Sequence, residues 1–327
     1  MRSNDKYQQE SGVLVGVDIG GTKTAVVLCA EAPHVLWRKE FPTKPELGWE
    51  QAMDKVITLI REALIETSQK PRRIGVSCGG PLDRETGTIQ SPPNLPTWDR
   101  VPVKQILESN FKVLCTVEND ANAGAVAEHQ FGAGRGCRHI VFLTLGTGLG
   151  AGLVLNGRIF RGANGMAGEL GHVRLTEHGP NGHGKAGSVE GWASGAGIAI
   201  QGAETVRAAT AAGEQTSLAS GLETLSARDV GQALSAGDRV ARRIVQQAGE
   251  RLGEALAILV DIINPERIVI GGIAVRLGEE LLEPARRRMH EEALPEAAAV
   301  CSVVPAELGE QIGDMAAIGV AMGLHDV

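Results

Sequence analysis

Two glycine-rich turns carry the residues with the clearest chemical potential. The first reads Gly-Val-Asp-Ile-Gly-Gly-Thr-Lys over 16–23 and offers Gly20, Gly21, Thr22 and Lys23 as candidates for phosphate contact. Consecutive backbone N–H groups, a hydroxyl and an ammonium around one turn suit a polyphosphate. Asp18 in the same turn can hold a hydrated Mg²⁺ beside the phosphates. A P-loop is excluded, because Thr22 separates the second glycine from the lysine and a strand-like segment follows.

The second turn, Gly146-Thr147-Gly148-Leu-Gly-Ala, matches the dinucleotide-binding fingerprint and follows a strand-like run. A Rossmann unit needs a helix directly after the glycines, whereas 151–161 alternates around Asn156-Gly157 like a hairpin. We therefore interpret it as a second phosphate turn rather than an NAD site.

The elements that must position these turns repeat along the chain. Apolar runs at 13–18 and 24–30 flank the first turn, and runs at 140–145 and 151–155 flank the second, which indicates two related halves. Helical spacing marks 46–70, 240–263 and a final helix over 313–324. Asn119 and Asp120 stand where the strand at 113–118 meets an alanine-rich helix, a position that exposes side chains at a sheet edge. The breaker-rich stretch 79–102 reads as a functional loop.

Composition limits the partners. The 327 residues carry a formal charge of -7 and 3% aromatic residues, which argues against nucleic-acid binding. The polar opening 1–12 and the absence of a long apolar run predict neither a signal peptide nor a membrane span. Five dispersed cysteines, four of them in or beside strand-like runs, predict reduced thiols and a cytoplasmic protein; Cys137, between two arginines, has the most reactive setting.

Six motifs occur in an order that resembles the ROK family (repressor, open reading frame, kinase) of actin-like ATPase-domain sugar kinases, especially its bacterial glucokinases. They are Asp18 to Lys23, Ser91-Pro-Pro-Asn-Leu-Pro-Thr-Trp98, Glu118-Asn-Asp-Ala-Asn-Ala123, Leu145 to Gly150, Glu169-Leu-Gly-His172 and Gly271-Gly272. The resemblance runs from Val13 to about Leu324. It implies an α/β fold of two ribonuclease-H-like domains around a central cleft. We place them at 1–120 and 121–312, with the C-terminal helix 313–327 packing back on the first.

The resemblance also implies an activity and roles. The activity is ATP-dependent, Mg²⁺-supported phosphoryl transfer to the 6-hydroxyl of a hexose, with glucose as first choice. Asp120 would act as the base, and the sugar hydroxyls would be held by Asn94, Asn119, Asp120, Glu169, His172 and Glu190. The phosphates would contact Gly20, Gly21, Thr22, Lys23, Gly146, Thr147 and Gly148, and adenosine would contact Gly271 and Gly272. A homodimer is expected.

The chain departs from the family at one metal site. ROK kinases follow the histidine with three cysteines that bind a structural zinc together with it, but here those positions hold Asn181, His183 and Ser188. Such a set suits tetrahedral zinc poorly, so we expect the zinc site to be lost. A gathering of His172, His178 and His183 around a metal stays open.

Several alternatives stay open as well. The substrate can instead be mannose, N-acetylmannosamine, N-acetylglucosamine, fructose or allose, and polyphosphate can replace ATP. A sugar-binding regulator without catalysis also fits the motifs. A DNA-binding repressor is disfavoured, because the 12 residues before the first strand cannot build a helix-turn-helix domain.

Overall fold

A computed structural model of the chain describes residues 11–323. Its strands are β1 (Val13–Ile19), β2 (Lys23–Glu31), β3 (His34–Pro42), β4 (Pro71–Cys78), β5 (Leu82–Asp83), β6 (Thr88–Ile89), β7 (Cys115–Asn119), β8 (Ile140–Leu145), β9 (Leu149–Leu155), β10 (Arg158–Phe160), β11 (Asn181–Gly182), β12 (Lys185–Ala186), β13 (Arg267–Gly272) and β14 (Ser302–Pro305). Its helices are α1 (Trp49–Glu66), α2 (Val103–Phe111), α3 (Asp120–Phe131), α4 (Val189–Ala193), α5 (Gly195–Ala211), α6 (Ala227–Ser235), α7 (Arg239–Ile263), α8 (Ile273–Leu277), α9 (Glu279–Glu292), α10 (Pro295–Ala298) and α11 (Ile312–Met322).

Contacts divide the chain into two compact units. The described part of the first unit comprises residues up to 135, 158–165 and the segment from 310 on, and the second comprises 136–157 and 166–309. Helix α3 therefore groups with the first unit, although the sequence places a domain boundary after residue 120. The domain boundary between residues 120 and 121 stays a prediction.

The first unit is built on a sheet of order β3-β2-β1-β4-β7. Strands β1, β2 and β3 are antiparallel neighbours, and β4 and β7 run parallel to β1. Alternate side chains of β1, such as Val15 and Val17, share one core with α1. On the other face α11 packs against β1 and β4. Gly75 permits this close approach, because an added Cβ would collide with the backbone of α11 at Ala317 and Ala321.

The second unit repeats the same pattern. Strand β8 pairs antiparallel with β9 and parallel with β13, and β13 pairs parallel with β14. The order β9-β8-β13-β14 thus matches β2-β1-β4-β7 in two respects: the strands follow one another along the chain in the same order, and neighbouring strands have the same relative directions. Helices α4 to α7 and α9 share a second core with this sheet. The predicted two related halves, and with them the fold class, are confirmed.

The predicted turns have the expected local form. Asn156 and Gly157 both have positive φ (55° and 74°), as a tight hairpin turn requires, and a strand rather than a helix follows the second glycine turn. The predicted final helix is α11; Leu324, its predicted last residue, lies outside the described residues. Within residues 11–323, no helix combines the length and apolar character that crossing a membrane requires.

Candidate active site

The first glycine turn joins β1 to β2 and is held by the end of β3. Gly20 donates its N–H to the carbonyl of Lys23 at 3.0 Å, and Thr43 donates its hydroxyl to the Gly20 carbonyl at 2.6 Å. The N–H of Thr43 donates to the Thr22 carbonyl at 3.0 Å. These bonds hold the backbone of the turn, and the side chains of Thr22 and Lys23 are exposed.

Asp18 is the penultimate residue of β1, just before this turn. Burial, together with the negative charges of Asp120 and Asp314, raises the pKa of Asp18 to about 7, although the hydroxyl of Ser77 and the charge of Lys23 act in the opposite direction. Gly313, at the start of α11, lies against the carboxylate so closely that an added Cβ would collide with it. The fold therefore places a confined carboxylate next to the turn.

A chain of ion pairs links the turn to α11. Lys23 Nζ lies 3.2 Å from Glu40, Glu40 lies 2.7 Å from Arg38, and Arg38 Nε lies 2.6 Å from Asp314. Asp314 is only 7% exposed, so Arg38 compensates a buried charge close to Asp18. Sequence reasoning missed this chain, since Arg38 and Asp314 are 276 residues apart.

Asp120 opens α3 where β7 ends, as predicted. Asn119 is the N-cap, and its Oδ1 accepts hydrogen bonds from Ala121 N at 3.0 Å and Asn122 N at 3.2 Å. Asp120 Oδ1 accepts from Ala121 N at 2.8 Å. Asp120 is exposed at the surface, but the protein around its carboxyl removes part of the hydration of that group. This desolvation raises the pKa of Asp120, and hydrogen bonds from the backbone N–H groups of Ala121 and Asp120 partly oppose the increase. Capping fixes the direction of both side chains.

The breaker-rich loop brings a further amide to the same place. An added Cβ on Gly21 would lie 2.6 Å from the Asn94 carbonyl oxygen, and one on Gly79 would lie 3.3 Å from Asn94 Oδ1. An added Cβ on Gly80 would lie 3.2 Å from Asn119 Nδ2. The first unit thus brings Asn94 and Asn119 together beside the first glycine turn, with Asp18 and Asp120 close enough to interact electrostatically.

A buried carboxylate lies directly before these residues. Glu118 is 2% exposed, and its Oε2 accepts from Arg84 Nε at 3.0 Å and from Arg161 Nη2 at 2.8 Å. Its Oε1 accepts from the backbone N–H of Asn119 at 3.2 Å and from Asn122 Nδ2 at 3.2 Å. Sequence reasoning assigned Glu118 no role. An ionisable residue at the end of an apolar strand was the available signal, because a buried charge requires partners.

In the second unit, the glycine turn 146–148 lies between β8 and β9. Gly146 and Thr147 are exposed, and their carbonyls accept from Gly195 N at 2.8 Å and Ala196 N at 3.2 Å at the start of α5. Glu190 Oε2 accepts from Leu149 N at 3.0 Å. The predicted sugar residue Glu190 therefore lies against the predicted phosphate turn.

The other predicted residues of this unit border the same turn. Glu169 and His172 are exposed at the two ends of a 3-10 turn, and an added Cβ on Gly171 between them would lie 2.5 Å from the Leu149 carbonyl oxygen. Gly272, with φ of 72°, pairs with Leu145 at the end of β8. The predicted site residues thus form two groups, one in each unit.

Asn181, His183 and Ser188 stand at the positions where the family resemblance predicts zinc-binding cysteines. Ser188 is fully buried, and its hydroxyl accepts from Gly191 N at 3.2 Å as the cap of α4 and contacts the Gly182 carbonyl at 3.4 Å. The rings of His172 and His183 stand edge-on with centroids 6.3 Å apart. Over residues 11–323 no three His, Cys, Asp or Glu side chains are grouped so that they could hold a metal.

Two α/β sheets with the same strand pattern, each carrying a glycine turn between its first two strands, define the actin-like ATPase class of fold. The chain belongs to the ROK family, whose family model matches residues 14–323. It is 35% identical to the glucokinase of Halalkalibacterium halodurans over an alignment of 307 residues. That alignment covers 91% of this chain and 92% of the glucokinase.

Solved structures agree with this. The ROK hexokinase of Thermus thermophilus is 32% identical with a TM-score of 0.77, over 96% of this chain and all of that one. The ROK glucokinase of Streptomyces griseus, solved in complex with glucose and AMPPNP, is 28% identical with a TM-score of 0.77, over 97% and 100%. The predicted family is confirmed.

Proposed function

We propose that this protein is an ATP-dependent kinase that phosphorylates the 6-hydroxyl of a hexose, with glucose as the preferred substrate. The single observation that carries the proposal is the grouping in the first unit of Asp120, Asn119, Asn94 and Asp18 around the first glycine turn. The family and its glucokinase relatives support the same activity.

Asp120 would remove the proton from the attacking hydroxyl. A general base works best when its pKa approaches the working pH, and desolvation moves the pKa of Asp120 in that direction. Capping of α3 fixes the Asn119 side chain through its Oδ1, which leaves the Nδ2 hydrogens for a sugar hydroxyl. Asn94 would hold a neighbouring hydroxyl.

The first turn would receive the transferring phosphate. Thr22 and Lys23 present an exposed hydroxyl and ammonium there, and Asp18 fits a water-mediated contact to Mg²⁺, since a cation would offset the crowding of Asp18 by Asp120 and Asp314. When bound, Mg²⁺ would neutralise phosphate charge. The ammonium of Lys23, on the same turn, would also neutralise phosphate charge.

We assign the remaining roles to the second unit. Gly146, Thr147 and Gly148 would contact phosphates through a second exposed turn, and Gly271 and Gly272 would border adenosine. Glu169, His172 and Glu190 would hold sugar hydroxyls. The buried thiols of Cys29, Cys78, Cys115 and Cys301 suit a reducing compartment and support the predicted cytoplasmic location, and the homodimer stays a prediction.

A coupled ADP-release assay over a sugar panel tests the proposal. The panel contains glucose, mannose, fructose, allose and both N-acetylhexosamines, each with ATP or polyphosphate as donor. We expect ATP-dependent turnover with the highest kcat/KM for glucose. A folded protein that turns over no sugar with either donor would refute the kinase and favour a sugar-binding regulator, and a higher kcat/KM for another sugar would refute the glucose assignment.

A further inference from the structure

The segment from Val173 to Trp192 is held by its own hydrogen bonds. The carbonyl of Gly187 accepts from Leu175 N at 2.8 Å and from Thr176 N at 3.2 Å. Gly187 N in turn donates to the Pro180 carbonyl at 2.9 Å. These bonds fold the segment back on itself. It is the segment in which the family resemblance predicts a structural zinc site.

Trp192 closes this arrangement from α4. Its Nε1 donates to Thr176 Oγ1 at 2.8 Å, and the same hydroxyl donates to the His178 carbonyl at 2.6 Å. Gly179 lies against the indole, where an added Cβ would collide with Cζ2 of the ring. The guanidinium of Arg251, on α7, lies 4.9 Å from the ring centroid. The indole is thus fixed at its N–H and by contacts to its ring.

Trp192 and Glu190 are connected through one short helix. Both lie on α4, a five-residue helix capped by Ser188, and Gln201 Nε2 donates to the Trp192 carbonyl at 2.6 Å. Glu190 Oε2 accepts from Leu149 N at 3.0 Å at the second glycine turn. Because α4 has so few backbone bonds of its own, movement of the indole would move this carboxylate.

We propose that Trp192, Thr176 and Gly179 form an indole clasp that positions Glu190 in place of the family's structural zinc. Trp192 and Thr176 are positioning residues that act through Glu190, and Glu190 transmits the arrangement to the second glycine turn. The effect on sugar binding rests on the proposed function, whereas the effect on the segment does not.

Amide hydrogen exchange followed by mass spectrometry tests the clasp without any substrate. Trp192→Phe keeps a ring but loses the N–H, and Thr176→Val keeps the shape but loses the hydroxyl. One hydrogen bond is worth on the order of a tenfold change in an opening equilibrium. In both variants we expect about tenfold faster exchange in peptides covering 173–192 and in the peptide containing Leu149, with other regions unchanged.

Two control variants separate the clasp from general damage. Thr176→Ser keeps the hydroxyl and should restore wild-type exchange. Trp37→Phe removes a comparable indole N–H bond, to Glu66 at 2.5 Å in the first unit, and should leave the 173–192 peptides unchanged. Unaltered exchange in both Trp192→Phe and Thr176→Val would overturn the clasp, as would faster exchange in Trp37→Phe.

Two further measurements complete the test. If the proposed function holds, Trp192→Phe and Thr176→Val raise the KM for glucose about tenfold with a smaller change in kcat, and Thr176→Ser does not. Elemental analysis of protein purified without chelator should find no stoichiometric zinc, and a chelator should leave exchange over 173–192 unchanged. One zinc per chain whose removal speeds that exchange would overturn the proposal.

Discussion

Replacing Asp18 by asparagine should abolish catalysis and yet stabilise the protein at high pH. A carboxyl whose pKa is raised in the folded state keeps its proton where the unfolded chain has already lost it. Its contribution to stability is therefore present below the ordinary value of 3.8 and is lost as the pH rises to about 7, the pKa in the folded protein. Asparagine does not ionise, so the Asp18→Asn protein does not lose this stability as the pH rises.

The size of the effect follows from that difference in pKa. A change from 3.8 to about 7 spans roughly three units, which correspond to about 4 kcal/mol at 1.36 kcal/mol per unit. Since Asp18 is half-buried rather than fully enclosed, solvent screening reduces the gain to about 2 kcal/mol. We expect the Asp18→Asn protein to be about 2 kcal/mol more stable than wild type at pH 8 and equal to it near pH 4.

Urea unfolding followed by tryptophan fluorescence measures this gain. Trp37, Trp49 and Trp98 lie in the first unit with Asp18. Asp238→Asn is a matched control of opposite sign in the second unit. Partial burial opposes ionisation of Asp238, but hydrogen bonds from Thr216, Ala241 and Ser217 outweigh it and lower its pKa to about 2.

The contribution of Asp238 is present above 3.8 and is lost as the pH falls through about 2, so its variant should lose about 1–2 kcal/mol at pH 8. An Asp18→Asn protein that is no more stable than wild type at pH 8 would refute the reasoning for Asp18. A gain that is as large near pH 4 as at pH 8 would do the same.

Two further substitutions test other contacts of the first unit. Glu118→Gln should lower the free energy of unfolding by about 3 kcal/mol and reduce kcat, because Arg84 and Arg161 lose a buried counter-charge beside Asn119 and Asp120; unchanged thermal stability and kcat would contradict this. Gly313→Ala should raise the Mg²⁺ concentration needed for half-maximal rate about tenfold, because its Cβ displaces the Asp18 carboxylate. Gly319→Ala, on the same helix, is the control: its added Cβ would lie 3.8 Å from Val126, and it should leave this Mg²⁺ requirement unchanged. Equal Mg²⁺ requirements in the two variants would contradict the prediction for Gly313.

The strand-turn-strand units were predictable because their chemistry is local. Apolar runs of fixed length flank turns that need glycine, and the structure places β1, β2, β8 and β9 within a few residues of the predicted bounds. Helix α1 was equally clear, because its buried residues recur at helical spacing.

Elements without a local signature were missed. Strand β3 lies at a sheet edge with most side chains exposed, so it shows no apolar alternation. Helix α5 begins inside a glycine-rich stretch and depends on the cap at Ser194 and on packing within the second core. Tertiary contacts overrode the weak local preference in both cases.

The candidate site shows the same division. Motif order predicted which residues would carry chemistry, and the structure groups Asn94, Asn119 and Asp120 beside the first turn. The contacts of Glu118 with Arg84 and Arg161, and of Trp192 with Thr176, join residues distant in sequence, so they are visible only in the three-dimensional structure. Composition cannot show which guanidinium meets which carboxylate.

The Asp120→Asn variant tests the central claim most directly, through glucose binding by calorimetry and turnover by ADP release on the same preparation. Removing the base while keeping the shape of the side chain should leave the Kd for glucose within about threefold of wild type and lower kcat by at least about a hundredfold. Turnover at the wild-type rate would contradict the assignment of Asp120 as the base.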